Sequence, residues 1–455
     1  MPYIANTDND RQEMLGYLGL TNIDQLFDVI PKNLRLTREL NLPPALPASE
    51  LIGYFEELAK ENTVVPGSRC LAGGGVYPHF IPPVVKELVH RGEFYTSYTP
   101  YQPEVSQGML QSIFEYQSYI CVLTGMDATN ASSYDGASAL SDAIVMARNI
   151  SRHNRIILFP YVNPLYKEVI QTYNLAKGGG VELAELEAEV DGTVSLSRFE
   201  AELKKGDVAG VVIQIPNFLG FYEEEVLAYS ELTKKYGALV IMAVYPFVLG
   251  VIKSPVELGA DIVVGEGQPL GIPLGFGGPL LGFIATKKEY MRQLPGRIIG
   301  KAKAQGGKSG YVMTLQAREQ HIRREKATSS ICTNEALLAL QAAVYLGAVG
   351  KSGFHSISRA CEENAHYAFR LLTSLEGVDA VYPQRKFFNE FALRLELAKT
   401  VDEVYSALLA RGWIPGIKLG DFYGWMDSCL LLSFTELHTR KIIDQFVKDF
   451  QEVMS

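Results

Sequence analysis

Short apolar runs alternate with amphipathic helical stretches through the middle of the chain. Runs rich in Val and Ile predict buried strands, whereas apolar positions that recur every three or four residues predict helices. The predicted strands are 155–160, 181–186, 208–216, 238–244 and 261–264, and the helices between them are 163–176, 195–204 and 223–237. Strands that alternate with helices favour a mainly parallel sheet flanked by helices.

Different patterns on either side of this region predict three parts. Residues 1–65 form a helical amino-terminal arm, in which Ser49 is expected to cap a helix that runs to Asn62. Residues 66–325 form the large α/β domain. Residues 326–455 form a smaller α+β domain, in which residues 328–333 are expected to cap a helix beginning near Glu335.

A glycine- and proline-rich loop interrupts the apolar pattern between Val263 and Ile284. Seven glycines and three prolines fall within these residues. The glycines allow tight turns, and the prolines restrict the backbone to a defined conformation. The loop is either a buried crossover or part of a functional site, and loops of this length tend to be functional.

A second unusual stretch, residues 93–104, reads EFYTSYTPYQPE. Two prolines exclude a regular helix, and a polyproline II conformation would place Tyr95, Tyr98 and Tyr101 along one edge. Ordinary packing of aromatic side chains explains the same spacing. His79 lies shortly before this stretch, and a single histidine is more often structural than catalytic.

Composition places the chain among globular proteins of the cytoplasm. The 455 residues are 47% apolar and 20% charged, with a net charge of −9, which argues against a nucleic-acid partner. Five widely spaced cysteines without a CxxC pair predict reduced thiols. The polar amino terminus resembles no signal peptide, and the apolar span 238–252 is too short to cross a membrane.

Several catalytic classes lack their motifs in this sequence. There is no HExxH, HxH or paired-cysteine spacing for a metal, so no metal site is predicted. There is no GxSxG nucleophile elbow. A dinucleotide-binding domain is rejected because no GxGxxG follows a strand and opens a helix.

Two stretches carry a resemblance to a known family. Residues 73–107, with YTSYTPYQPEVSQG at their centre, and the glycine-rich run 273–279 are similar to the amino-terminal half of glycine decarboxylase, the P-protein of the glycine cleavage system. The basic run 316–333 is similar to the same half, although a solvated helix end is an equally good interpretation. The resemblance implies the type I fold of enzymes that depend on pyridoxal phosphate (PLP).

Three positions depart from a PLP site of that fold. Gln268 or Pro269 stands where the family's cofactor-binding half has the Schiff-base lysine, and no lysine occurs between residues 254 and 286. Ala243 stands where such enzymes place an aspartate against the ring nitrogen. Asp135 puts a carboxylate at the helix start that would hold the cofactor phosphate, so this anion site is expected to be filled by the chain itself.

The resemblance implies a split P-protein in which this half is a separate subunit, inactive alone. PLP is then expected on a partner subunit, with glycine as substrate and the lipoylated H-protein as acceptor of the aminomethyl group. Tyr95, Tyr98, Tyr101 and Gln102 are expected to form an active-site wall that faces the partner, with His79 a weaker candidate.

Two other functions stay open from the sequence. The chain could be an autonomous PLP enzyme that uses another lysine, such as Lys253 or Lys287. It could also be a non-enzymatic module that binds the lipoylated carrier or the partner subunit.

Overall fold

The chain divides into two units, Met1–Val64 and Val65–Ser455. The computed structural model describes residues 5–97, 99–176, 180–303, 306–396 and 399–454. The predicted domain boundary near residue 325 falls within the second unit and stays a prediction.

Within residues 5–64, the first unit contains two α-helices, α1 (Asp8–Tyr17) and α2 (Ala48–Ala59). Thr7 and Asp10 form a capping box at the start of α1. The prediction that Ser49 caps α2 is wrong. The helix begins one residue earlier, directly after Pro47, whose ring fixes φ at −56° and which offers no capping side chain.

A seven-stranded sheet is the framework of the second unit. Its strands are β1 (Ala128–Thr129), β2 (Arg155–Leu158), β3 (Glu182–Glu185), β4 (Val208–Ile215), β5 (Leu239–Val244), β6 (Ile262–Glu266) and β7 (Gly282–Thr286). The spatial order is β1-β7-β6-β5-β4-β2-β3. β7 runs antiparallel to both of its neighbours, and the other pairs that include β2 to β6 are parallel.

Helices cover both faces of this sheet and continue into the carboxyl-terminal region. They are α3 (Pro83–Val89), α4 (Gly92–Tyr95), α5 (Gln107–Thr124), α6 (Gly136–Ser151), α7 (Pro164–Ala176), α8 (Leu196–Lys204), α9 (Val226–Lys235), α10 (Gln320–Arg323), α11 (Ala336–Leu372), α12 (Val401–Ala410) and α13 (Arg440–Met454). The predicted central strands and helices are confirmed within a few residues. Two buried clusters, one on each face, contain alternate residues of the central strands.

Two further sheets complete the second unit. A four-stranded antiparallel sheet has the order β10-β11-β13-β12 and contains β10 (Val378–Ala380), β11 (Glu390–Leu395), β12 (Ile417–Lys418) and β13 (Cys429–Ser433). A separate hairpin contains β8 (Ile298–Lys303) and β9 (Ser309–Thr314). The sequence pattern missed β1, β7, β12, β13 and this hairpin, because their apolar runs are short and carry no clear alternation.

The long helix α11 connects the two largest buried clusters. Its first half contributes residues to the cluster on the large sheet, and its last turns contribute to the cluster on the four-stranded sheet. α11 is also long and apolar enough to cross a membrane, although 44% of its most apolar window is buried in the structure. The prediction that residues 328–333 cap α11 is wrong, because the Glu335 N–H donates to Ser132 Oγ instead.

Candidate functional site

The candidate site lies at the carboxyl ends of β4, β5 and β6, where open α/β sheets bind their ligands. A cavity of about 30 Å³ at this edge has room for about one water molecule. Its lining consists of Gly75, Tyr77, Tyr166, Gln214, Pro216, Ala243, Val244, Tyr245, Gly265 and Glu266. Sequence and fold therefore form a site here that is almost filled by side chains.

Glu266, the last residue of β6, places a buried carboxylate in the centre of this site. Its Oε2 accepts a hydrogen bond from the N–H of Gly136, the first residue of α6, at 2.9 Å. Its Oε1 accepts from the N–H groups of Gln268 and Leu281 at 2.8 and 2.9 Å. The carboxylate thus occupies the anion position that the positive end of α6 provides.

Asp135 fills the rest of that helix start. Its Oδ1 accepts from the Ser138 N–H at 2.7 Å and from the Ser138 hydroxyl, which makes it the N-cap of α6. The sequence pointed to Asp135 as the carboxylate at this position, but it missed Glu266. The one available signal was an acidic residue at the end of an apolar strand segment.

Burial raises the pKa of Glu266 to about 7. The hydrogen bonds from the three backbone N–H groups lower this pKa, but burial has the larger effect. The nearby Asp135 carboxylate adds to the increase. Glu266 therefore changes its charge near neutral pH.

Neither candidate for the lysine position carries an amine into this site. The Gln268 amide accepts from the Tyr77 N–H at 3.0 Å and donates to the Ile272 carbonyl at 2.7 Å, and Pro269 is buried beside it. Ala243 lies in β5 opposite Gln214 and Val264 and presents a methyl group to the cavity.

The two lysines considered for an autonomous enzyme lie elsewhere. Lys287 Nζ pairs with Asp261, which precedes β6, so it lies at the amino end of the strand that Glu266 ends. Five residues of strand correspond to about 16 Å. Lys253 is exposed in the turn that follows β5 and leads toward the start of β6.

The residues at this site do not fit a PLP molecule. The cavity is too small, its anion-binding end is taken by Glu266, and it lacks a lysine. The start of α6 leaves no space either, because a Cβ atom on Gly136 would lie 2.4 Å from Tyr166 Oη.

Tyr77 and Glu390 extend the buried polar network toward the four-stranded sheet. Tyr77 Oη donates to Glu390 Oε2 at 2.9 Å, and Glu390 Oε1 accepts from the Gly74 N–H at 2.8 Å. Burial raises the pKa of Glu390 to about 7. The sequence did not identify either residue, because they are 313 positions apart in the chain.

His79 lies inside the protein, with 2% of its side chain exposed. Its Nδ1 is 2.7 Å from Glu436 Oε2, and its Nε2 is bonded to Tyr245 Oη. The buried thiol of Cys361 donates to the same Glu436 oxygen. Imidazole, thiol and carboxylate form a group that could hold a metal ion, but here they are hydrogen-bonded to one another. The prediction of no metal site stays a prediction.

The expected wall residues are exposed at the surface as far as the structure describes them. Tyr95 ends α4, is 62% exposed and stacks on His90. Tyr101 is 53% exposed, and its hydroxyl accepts a hydrogen bond from Arg297 Nη2 at 3.0 Å. Gln102 is exposed, and Tyr98 lies outside the described residues. Tyr95 is helical, so the predicted polyproline II conformation does not hold at this residue.

Arg297 is a residue that the sequence analysis missed. Its guanidinium lies over the Tyr101 ring at 5.2 Å, and it also donates to the Cys332 carbonyl and the Asn334 side chain. These contacts fix Tyr101 against the residues that precede α11.

Comparisons with known proteins point to one family. The family model for the glycine cleavage system P-protein matches residues 1–450. A relative from Moorella thermoacetica, named probable glycine dehydrogenase (decarboxylating) subunit 1, is 47% identical over 455 residues, and the alignment covers 100% of each chain.

Solved structures confirm the predicted fold. The crystal structure of glycine decarboxylase (P-protein) of the glycine cleavage system, in inhibitor-bound form, has a TM-score of 0.88 at 40% identity and covers 100% of each chain. Sphingosine-1-phosphate lyase from Burkholderia pseudomallei has a TM-score of 0.66 at 13% identity and covers 93% and 94% of the two chains, which shows a shared fold alone. The fold is that of type I PLP-dependent enzymes, and this chain belongs to the glycine cleavage system P-protein family.

Proposed function

We propose that this chain is the subunit of a two-subunit glycine decarboxylase that does not anchor PLP. The Glu266 carboxylate carries the proposal, because it is bonded to the helix start where a cofactor phosphate would bind. The relatives that share its full length are named subunit 1, which supports a partner subunit as the carrier of the cofactor.

In this proposal the partner holds the reacting groups and this chain completes the active site. PLP bound to a lysine of the partner would supply the electron sink for decarboxylation of glycine. The H-protein, through its lipoyl arm, would be the acceptor of the aminomethyl group. Binding of the two subunits would exclude water and orient the substrate.

Tyr95, Tyr98, Tyr101 and Gln102 are proposed as this chain's wall of the shared site. The exposure of Tyr95, Tyr101 and Gln102 supports this role, because each is accessible to another chain. Arg297 holds Tyr101 in place, so that the ring orientation is set before the subunits meet.

A labelling experiment tests which chain anchors the cofactor. Each subunit is incubated with PLP, reduced with borohydride and digested, and the peptides are analysed by mass spectrometry. We expect a stoichiometric adduct on one lysine of the partner and none on this chain. A specific adduct on Lys253 or Lys287 would refute the proposal.

Glycine–bicarbonate exchange tests whether the catalytic site is shared. We expect exchange only when both subunits are present, because each supplies part of the site. A partner that reaches full activity alone would leave this chain as a binding module.

Tyr101→Phe in the reconstituted complex tests the wall. We expect a loss of exchange of roughly tenfold, which corresponds to about 1.4 kcal/mol, because one hydrogen bond that positions the wall is removed. Tyr367→Phe is the matched control, since it also removes one hydroxyl bonded to a side chain, that of Asp444. Equal activities of both variants would exclude Tyr101 from the wall.

A further inference from the structure

Two neighbouring segments of the second unit bring together four buried polar atoms that have no hydrogen-bond partner among the described residues. They are Gln293 Oε1, Arg318 Nε, Arg318 Nη2 and Glu319 Oε1. The segments are joined by a hydrogen bond from Arg318 Nη1 to the Leu294 carbonyl. Buried polar groups are nearly always paired in folded proteins, so such a concentration requires an explanation.

Arg318 is held in this place by the backbone around it. It ends a short 3₁₀ helix, Gln316–Arg318, which the chain enters through Leu315 at a φ of 53°. This left-handed conformation is unfavourable for leucine and persists only where packing fixes it. Leu315 packs on the cluster that contains Leu294. The position of the guanidinium is therefore set by the fold.

The unpaired atoms of Arg318 form one complete edge of the guanidinium. Nη1 is used by the Leu294 carbonyl, whereas Nε and Nη2 present two parallel N–H groups on the other edge. This is the fork that matches two oxygens of a carboxylate or a phosphate.

The adjacent Glu319 raises the pKa of Arg318 through its charge, against the effect of burial, but no ion pair joins the two side chains. Glu319 has a side chain that is 5% exposed, and its Oε2 lies 3.9 Å from His321 Nδ1 rather than in an ion pair with Arg318. Burial lowers the pKa of Arg318 to about 10, so that the guanidinium is still protonated at neutral pH. A buried guanidinium edge whose N–H groups have no acceptor among the described residues is unfavourable, and an added anion would supply the acceptors.

We propose that Arg318 binds an oxyanion, a carboxylate or a phosphate group, that comes from outside this chain. The group accepts from Nε and Nη2 together, while Nη1 stays on the Leu294 carbonyl. The source is either a small free anion or an acidic group of another subunit. The free-anion source follows from the contacts of this chain alone, whereas the second source rests on the proposed function, because it needs the partner subunit.

The first test measures thermal unfolding of the isolated chain with and without inorganic phosphate. For a free anion, we expect phosphate at ten times its Kd to raise the unfolding midpoint of the wild type and of Arg323→Gln. Arg318→Gln should show no such increase. Arg323 is the matched control, because it is an exposed arginine on α10 in the same segment.

The second test measures association with the partner subunit at low and high salt. If an acidic group of the partner is the ligand, Arg318→Gln raises the Kd for the partner at least tenfold more than Arg323→Gln does at low salt. Added salt should reduce this difference in Kd between the two variants. If phosphate shifts the unfolding midpoint equally in the wild type, Arg318→Gln and Arg323→Gln, and all three associate equally with the partner, the oxyanion site does not exist.

Arg318→Met controls for misfolding, because it removes the buried charge and keeps an apolar stem. We expect its midpoint without phosphate to be no lower than that of the wild type, and its responses in both tests to be lost. A large decrease in the midpoint would mean that the guanidinium is already satisfied within the chain, which would overturn the proposal.

Discussion

Two buried glutamates, Glu266 and Glu390, show how the surroundings of a residue decide what its charge does. Burial raises the pKa of both carboxyl groups from 4.5 to about 7. Among the described residues, Glu266 accepts only from backbone N–H groups, whereas Glu390 also accepts a hydrogen bond from the Tyr77 hydroxyl. The same residue type therefore has different tolerance to substitution at these two positions.

Glu266→Gln is expected to lower the free energy of unfolding by about 1–3 kcal/mol at pH 8. A glutamine must point its NH₂ group at a backbone N–H group on one side. The NH₂ group and the N–H group that faces it are then both without an acceptor. Urea denaturation gives the difference. Glu390→Gln is the control, since its NH₂ group can donate to Tyr77 Oη, and it should cost less than Glu266→Gln. The reverse ranking would contradict the bonding described here.

The pH dependence of stability gives a second prediction for Glu390. Its pKa is higher in the folded state, so the folded protein holds more protons between pH 4.5 and 7. The stabilisation that Glu390 gains from its bound proton is complete below pH 4.5 and is lost as the pH rises through 7. The stability of the wild type relative to Glu390→Gln should therefore fall by up to about 3 kcal/mol across that window. Unfolding free energies at pH 5, 6, 7 and 8 test this, and a flat difference would refute it.

At the scale of elements, α11 shows how one glycine introduces a kink into a long helix. Gly350 has φ 60° and ψ −178° in its interior, a conformation available almost only to glycine. The helix changes direction there and reaches the second buried cluster. The sequence predicted a helix beginning near Glu335, but periodicity does not give the backbone conformation at Gly350.

Gly350→Ala is expected to destabilise the protein by about 1–3 kcal/mol, because alanine disfavours this backbone conformation. Apart from the neighbouring residues and the backbone of the helix, no described atom lies within 4 Å of a Cβ at this position, so the cost is conformational rather than steric. Gly347→Ala is the control in the same helix. There a Cβ meets only Tyr119 Oη, at 3.4 Å, and alanine should stabilise by up to about 1 kcal/mol. Thermal unfolding compares the two variants. Equal midpoints would contradict the non-helical backbone conformation at Gly350.

At the scale of the whole molecule, the buried clusters all belong to the second unit. Each of the four described clusters begins beyond residue 64, whereas Leu15 is the one buried side chain among the described residues 5–64. The stability of the second unit is therefore expected to depend on its own core.

A chain that lacks residues 1–64 is expected to fold and to unfold cooperatively. Its urea midpoint should lie close to that of the full chain, because no described core cluster is removed. Circular dichroism during urea denaturation tests this. A broad, non-cooperative transition of the shorter chain would show that the first unit is needed for the fold.

The sequence by itself determined the central strands and helices, the type I fold through resemblance, and the lack of a lysine in the glycine-rich loop. Periodicity and residue identity are local properties, so they can be read without coordinates. Tertiary structure alone decided that Glu266 reaches α6, that Glu390 bonds Tyr77 and that Arg318 keeps one edge unpaired. These contacts join residues far apart in the chain, such as Gly136 and Glu266 at a separation of 130 positions, and only packing brings them within hydrogen-bond distance.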